Sequence, residues 1–177
     1  MKAVPSLPRI LIVEPNKSAL AVLARRVGEA GYRVAVCGNP TDAVSELHRS
    51  PISLLIAELR MPSMSGIELV RLVRDDSVLR DIPVILITGR SDATGAVEGF
   101  AAGADDVVAK PFHFEVLLAR IAQRLAKARS LRELRQDNAT LDARVTTRAI
   151  ELGEMRAAFA ASEAERHRLS AMMGIPD

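Results

Sequence analysis

This 177-residue sequence has little that could cross-link, anchor or attract a highly charged partner. It holds one cysteine, Cys37, so no disulfide can form within the chain. Cys37 sits in an apolar run and reads as a core residue rather than a reactive thiol. Net charge is only +2, from 24 basic and 22 acidic residues that are interspersed. That balance lacks the basic stripe of a nucleic-acid surface. No apolar run approaches the length of a membrane span, and Met1–Pro8 carries a charge but no apolar h-region. A cytoplasmic protein that binds neither membrane nor nucleic acid is the expectation. Proline is missing between Pro111 and Pro176, and that gap marks a change of pattern. With 49% hydrophobic residues, the chain can still build one core of ordinary size.

Before the gap, short apolar runs alternate with helical spacing. The runs are Arg9–Val13, Tyr32–Val36, Ile52–Ala57, Pro83–Ile87 and Asp106–Ala109. They are rich in Val, Ile and Leu, as strands buried on both faces should be. Apolar stripes at spacings of three and four lie between them. These are Leu20, Leu23, Ala24 and Val27, ended by Gly31; Ala43, Val44 and Leu47; Ile67, Val70, Leu72 and Val73; and Ala93, Val97, Phe100 and Ala101, ended by Gly103. Thr41-Asp42 and Ser91-Asp92 read as N-cap regions. Such alternation predicts a parallel sheet with helices on both faces, and ligands at the carboxyl ends of its strands.

After the gap the spacing is helical throughout. With Leu131 at heptad position a, the a/d seam holds Leu131, Leu134, Asn138, Leu141, Val145, Arg148, Leu152, Met155 and Phe159. It degrades beyond, with Arg166 and Met173 at a and Ser162 at d; Gly153 is the sole turn signal. A single Asn at an a position favours a parallel two-stranded register. A coiled-coil homodimer is the expectation. A helix folded back on its own domain is the alternative.

Several separated motifs carry a family resemblance. Ile10-Leu11-Ile12-Val13-Glu14-Pro15 is one, and Leu54-Leu55-Ile56-Ala57-Glu58 followed by Met61-Pro62 and Met64-Ser65-Gly66 is another. Pro83-Val84-Ile85-Leu86-Ile87-Thr88-Gly89 and Gly103-Ala104-Asp105-Asp106 with Lys110-Pro111-Phe112 complete the set. Together they resemble the receiver domains of two-component response regulators. The resemblance implies a flavodoxin-like (βα)5 fold over residues 9–127. It also implies a pocket in which an acidic pair, an acceptor Asp, a switch hydroxyl and a lysine handle a phosphoryl group with Mg²⁺. Partners would be a histidine kinase or an output domain.

This sequence departs from that pattern. Pro15 stands where the second acid would ligate the metal. Glu14 is a longer acid at the first position, and Glu58 replaces the acceptor. Val107 takes the place of the aromatic switch residue, while Thr88, Gly89 and Lys110 are kept. A carboxylate displaced by about 1 Å reacts on the order of a hundredfold more slowly. The pocket of Glu14, Pro15, Glu58, Arg60, Thr88 and Lys110 is therefore expected to be degenerate, with no metal and no catalytic residue. Lys110 is expected to pair with Glu58, with Arg60 or Arg90 adding charge at the rim.

His48, His113 and His167 lack metal-ligand spacing. Arg25-Arg26 and Arg71, Arg74 and Arg80 read as exposed helix faces. The stretch Leu141–Leu152 resembles helices that join receivers to output domains. The expected organisation is a tail over 1–8, a receiver over 9–127, a coiled-coil helix over 128–173 and a tail over 174–177. The function expected is a non-enzymatic signalling module. The alternatives are a regulatory fragment of a histidine kinase or cyclic-di-nucleotide enzyme, and a receiver still phosphorylated at Glu58.

Overall fold

The structure, a computed structural model, describes residues 7–90 and 92–173, without the side chains of Ala171 and Met173. The expectations for residues 1–6, for Ser91 as a cap, for the Met173 side chain in the seam and for the 174–177 tail lie outside the described residues.

Five strands alternate with five helices. They are β1 (Arg9–Val13), α1 (Lys17–Glu29), β2 (Arg33–Cys37), α2 (Pro40–Arg49), β3 (Leu54–Glu58), α3 (Gly66–Asp75), β4 (Val84–Thr88), α4 (Ala93–Ala101), β5 (Asp106–Ala109) and α5 (Phe114–Met173). All pairings are parallel, in the order β2-β1-β3-β4-β5. This is the flavodoxin-like receiver arrangement. Strand order reverses at β1, so the crevice at the carboxyl ends of β1 and β3 is where such sheets bind ligands. The chain divides into two compact units, Met1–Ser130 and Leu131–Asp177.

Alternating strand residues feed two cores. Leu11, Val13, Leu55, Ala57, Val84 and Leu86 meet residues of α2 and α3. Ile10, Ile12, Leu54, Ile56, Ile85 and Ile87 meet α1 and the start of α5 through Leu23, Val27, Leu117 and Ile121. Every residue of β4 is buried, as a central strand covered on both faces requires.

Local details differ from the sequence reading. β2, β3 and β4 each end one residue later than the apolar runs, because pairing extends through Cys37, Glu58 and Thr88. Asn39, not Thr41-Asp42, caps α2: its side chain accepts the Asp42 N–H and Pro40 begins the helix. Leu72 is exposed and Leu69 takes its buried place. Val97 and Phe100 face outward. α4 instead lays Gly99 on the sheet, where a Cβ would come within 2.8 Å of Leu86. Cys37 is half-buried rather than core. α5 continues through Gly153 without a break.

Arg74 is the largest departure from an exposed helix face. Its Nε donates to Gly103 O at 2.8 Å, and Nη1 donates to Arg80 O and Ile82 O, each at 2.8 Å. Nη2 pairs with Asp105 Oδ2 at 2.8 Å, which also accepts the Val84 N–H. One guanidinium thus ties α3 to the loop before β4 and the turn before β5, using the fork that lysine lacks. Gly103 lies beside it at φ +102, a conformation open mainly to glycine. Arg74→Ala is expected to lower stability by about 2–3 kcal/mol, since three carbonyls and a carboxylate lose a charged donor. Arg74→Lys should restore less than half. Urea denaturation of both variants checks this.

Candidate functional site

The site forms where β1, β3, β4 and β5 end together. Glu14 follows β1, Glu58 ends β3, Thr88 ends β4 and Lys110 follows β5. Backbone geometry sets Glu58 tightly. Gly66 N–H donates to Leu59 O at 2.9 Å, and a Cβ on Gly66 would lie 2.5 Å from Glu58 O. Only glycine allows this approach. Ser65 and Glu68 then start α3 with a reciprocal capping box.

Lys110 is the hub. Its Nζ donates to Glu58 Oε2 at 2.6 Å and to Glu14 Oε2 at 2.8 Å. The two carboxylate side chains are 11% and 5% exposed, and the lysine 38%. The remaining oxygens are also bonded: Glu14 Oε1 accepts Asn16 N–H at 2.9 Å, and Glu58 Oε1 accepts Leu59 N–H at 3.1 Å and Arg60 N–H at 3.4 Å. Burial disfavours the ammonium, but the hydrogen bonds and charges of Glu14 and Glu58 outweigh it and raise the Lys110 pKa. The sequence pointed to the Glu58 pairing; that Glu14 shares the lysine was not anticipated.

The rim is arranged differently from the expectation. The Arg60 guanidinium turns to Asp92, with Nε at 2.7 Å and Nη2 at 3.0 Å from its carboxylate. Only its backbone N–H meets Glu58. Arg90 is exposed. Asp92 caps α4 by accepting Gly95 N–H at 2.9 Å. Its carboxyl is held below the ordinary range, first by Arg60, then by Gly95, and least by a weak interaction with Thr88. Thr88 Oγ1 is buried and makes no hydrogen bond of ordinary geometry. Val107 is partly buried against the α2–α3 core and lies beside Gly99. Pro15 is at the pocket but brings no side-chain oxygen. His48 is exposed, 3.6 Å from Asp76, and His113 is exposed, so neither enters the site; His167 is on α5.

A hexacoordinate Mg²⁺ needs several oxygens at tight distances. All four carboxylate oxygens of Glu14 and Glu58 accept an N–H, and Pro15 stands at the second position of the acidic pair. Among the described residues no group of three or more His, Cys, Asp or Glu is placed to hold a metal.

The geometry of five parallel strands with this carboxyl-end pocket coincides with a sequence match: the response regulator receiver domain family covers residues 10–122. The chain belongs to that family. It is 33% identical over 119 residues to the DNA-binding response regulator MtrA of Mycolicibacterium paratuberculosis, covering 67% of this chain and 52% of the relative. It is 38% identical over 124 residues to the phosphate regulon transcriptional regulatory protein PhoB of Rhizobium meliloti, covering 70% and 54%. The chain therefore spans about half the length of these curated relatives. Among solved structures, the signal receiver domain of a signal transduction histidine kinase from Syntrophus aciditrophicus aligns with TM-score 0.64 and 34% identity, over 68% of this chain and 91% of that one.

Beyond the receiver, the seam residues lie on one continuous helix. Leu131, Leu134, Leu141, Val145, Leu152, Met155 and Phe159 are all exposed in the single chain. Asn138 is exposed with them. No described helix is long and apolar enough to cross a membrane.

Lys110→Ala is expected to destabilise the fold by about 1–3 kcal/mol, because two nearly buried carboxylates lose their cation. The raised Lys110 pKa fixes the pH dependence. The stabilisation is fully present below lysine's ordinary value of 10.5 and is lost as pH rises through the higher folded value. Chemical denaturation of the wild type should show this alkaline loss, and Lys110→Ala should lack it.

Proposed function

We propose that this receiver does not take up a phosphoryl group, and that it works as a non-enzymatic signalling module held in one state. The carrying observation is Lys110 Nζ at 2.6 and 2.8 Å from Glu58 and Glu14. A phosphoryl acceptor needs a free carboxylate oxygen and a cation that neutralises the donor. Here the lysine that would pair with a new phosphoryl group already bridges two acids. The acceptor oxygens are one methylene further out and are bonded. With Val107 in place of an aromatic residue, the coupling from pocket to outer face also lacks its moving ring.

Signalling would then pass through protein contacts. The exposed seam from Leu131 to Phe159 supports a parallel two-stranded coiled coil between copies, with Asn138 bonding its mate across the axis. From Leu131 to Leu169, at 1.5 Å per residue, the helix is roughly 60 Å long. Partners are a histidine kinase or an output domain, in the cytoplasm. The DNA binding named for MtrA is not carried over, since the match covers 52% of that protein. The likeness to a receiver from a histidine kinase supports a second reading, in which these residues regulate a larger signalling enzyme. Immunoblotting the native gene product for its length separates the two.

Treatment with acetyl phosphate or beryllofluoride and Mg²⁺ is expected to leave the mass unchanged and the pocket NMR shifts in place. Glu58→Asp alone should remain inert, whereas Pro15→Asp with Glu58→Asp should gain a phosphoryl adduct. An adduct on wild-type Glu58 overturns the locked reading.

Light scattering is expected to give a dimer for the full chain and a monomer for a version ending at Lys127. A monomeric full chain overturns the coiled-coil reading. Tight dimers of the shortened version would assign association to the receiver instead.

A further inference from the structure

We propose that Arg60 and Asp92 form a salt-sensitive latch across the mouth of the pocket, and that this latch, not a phosphoryl group, seats α4. The inference deepens the locked reading above and uses a different pair of residues. Arg60 follows β3 and Asp92 starts α4, so the bidentate contact at 2.7 and 3.0 Å joins two loops that share no strand pairing. Planar forks of this kind are the most specific of the charged hydrogen bonds.

α4 depends on such a contact more than its neighbours do. It has nine residues, two of them glycine, in its interior. Glycine weakens a helix by its freedom in the unfolded chain. It carries no acid in its first turn and no base in its last. Its larger apolar residues, Val97 and Phe100, face outward and do not anchor it. Its seat on the sheet is made at Gly99, beside Leu86, Val107 and Leu59, and its start is held by the cap from Asp92, which accepts Gly95 N–H at 2.9 Å. Asp92 therefore serves both contacts at once, cap and latch.

Thr88 supplies the opposing force. Its Oγ1 is buried without an ordinary hydrogen bond and interacts only weakly with the Asp92 carboxylate. A buried hydroxyl left so is unfavourable. Asp92 is the nearby acceptor, and its oxygens are drawn to Arg60 and Gly95. The seated state thus persists by the latch and against the hydroxyl. Release of Asp92 from Arg60 frees it to bond Thr88 or admits water to that oxygen. An ion pair at the surface is screened by salt, so ionic strength is the natural lever.

Hydrogen exchange of the full chain, read by mass spectrometry on peptides spanning 93–101, tests the latch. Arg60→Ala and Asp92→Asn are each expected to speed exchange there about three- to five-fold, with peptides of β1, β3 and α1 unchanged. Asn keeps a capping oxygen, so the second variant removes the pair and spares the cap. High salt should reproduce the effect in the wild type and add nothing in Arg60→Ala. Thr88→Val should slow exchange in the same peptides. Equal exchange in wild type and both rim variants overturns the latch, as does a Thr88→Val variant that exchanges faster. A phosphoryl adduct with rim exchange as predicted would overturn only the locked reading, and the two remain separable.

Discussion

One ammonium shared between two nearly buried carboxylates organises this protein's pocket. Lys110 reaches from the end of β5 to the ends of β1 and β3, so one side chain joins three of the five strands at their carboxyl ends. Two acids forced together on adjacent strands repel, and each alone would leave water only reluctantly. The lysine resolves both problems. Each acid oxygen has an N–H donor, although one ammonium against two carboxylates leaves the trio with a net charge of −1.

The same economy of charge recurs away from the pocket. Buried Glu46 is held by Arg9 at 2.7 Å and by Arg49. Arg74 satisfies three carbonyls and Asp105. Arg9 and Arg74 are largely buried and so are parts of the frame, whereas Arg49 stays on the solvated surface.

The fold was readable because its signals are local. Five Val/Ile/Leu runs separated by helical spacing leave few topologies, and a parallel sheet follows from right-handed crossovers. The ends of β2, β3 and β4 were not readable to the residue, since polar ends such as Glu58 and Thr88 pair through their backbone whatever their side chains. The seated face of α4 was misread for a physical reason: spacing finds large apolar residues, while close approach to the sheet is made by glycine, which leaves no hydrophobic mark. The pocket residues were found by position along the chain. Their partners were less accessible. That Lys110 serves Glu14 as well as Glu58, and that Arg60 leaves the pocket for Asp92, depends on reach across contacts separated by 96 and 32 residues.

Asp106 sets one further limit. It is 3% exposed and accepts from Arg120 at 2.8 Å and Arg124 at 3.1 Å. The family match ends at residue 122, between those two arginines. A domain excised at that border would keep every strand and the apolar anchors Leu117 and Ile121, yet would take one of two donors from a buried acid and Leu125 from the core. For this protein the receiver's own contacts therefore run on through Arg124 and Leu125, past the point where sequence likeness ends.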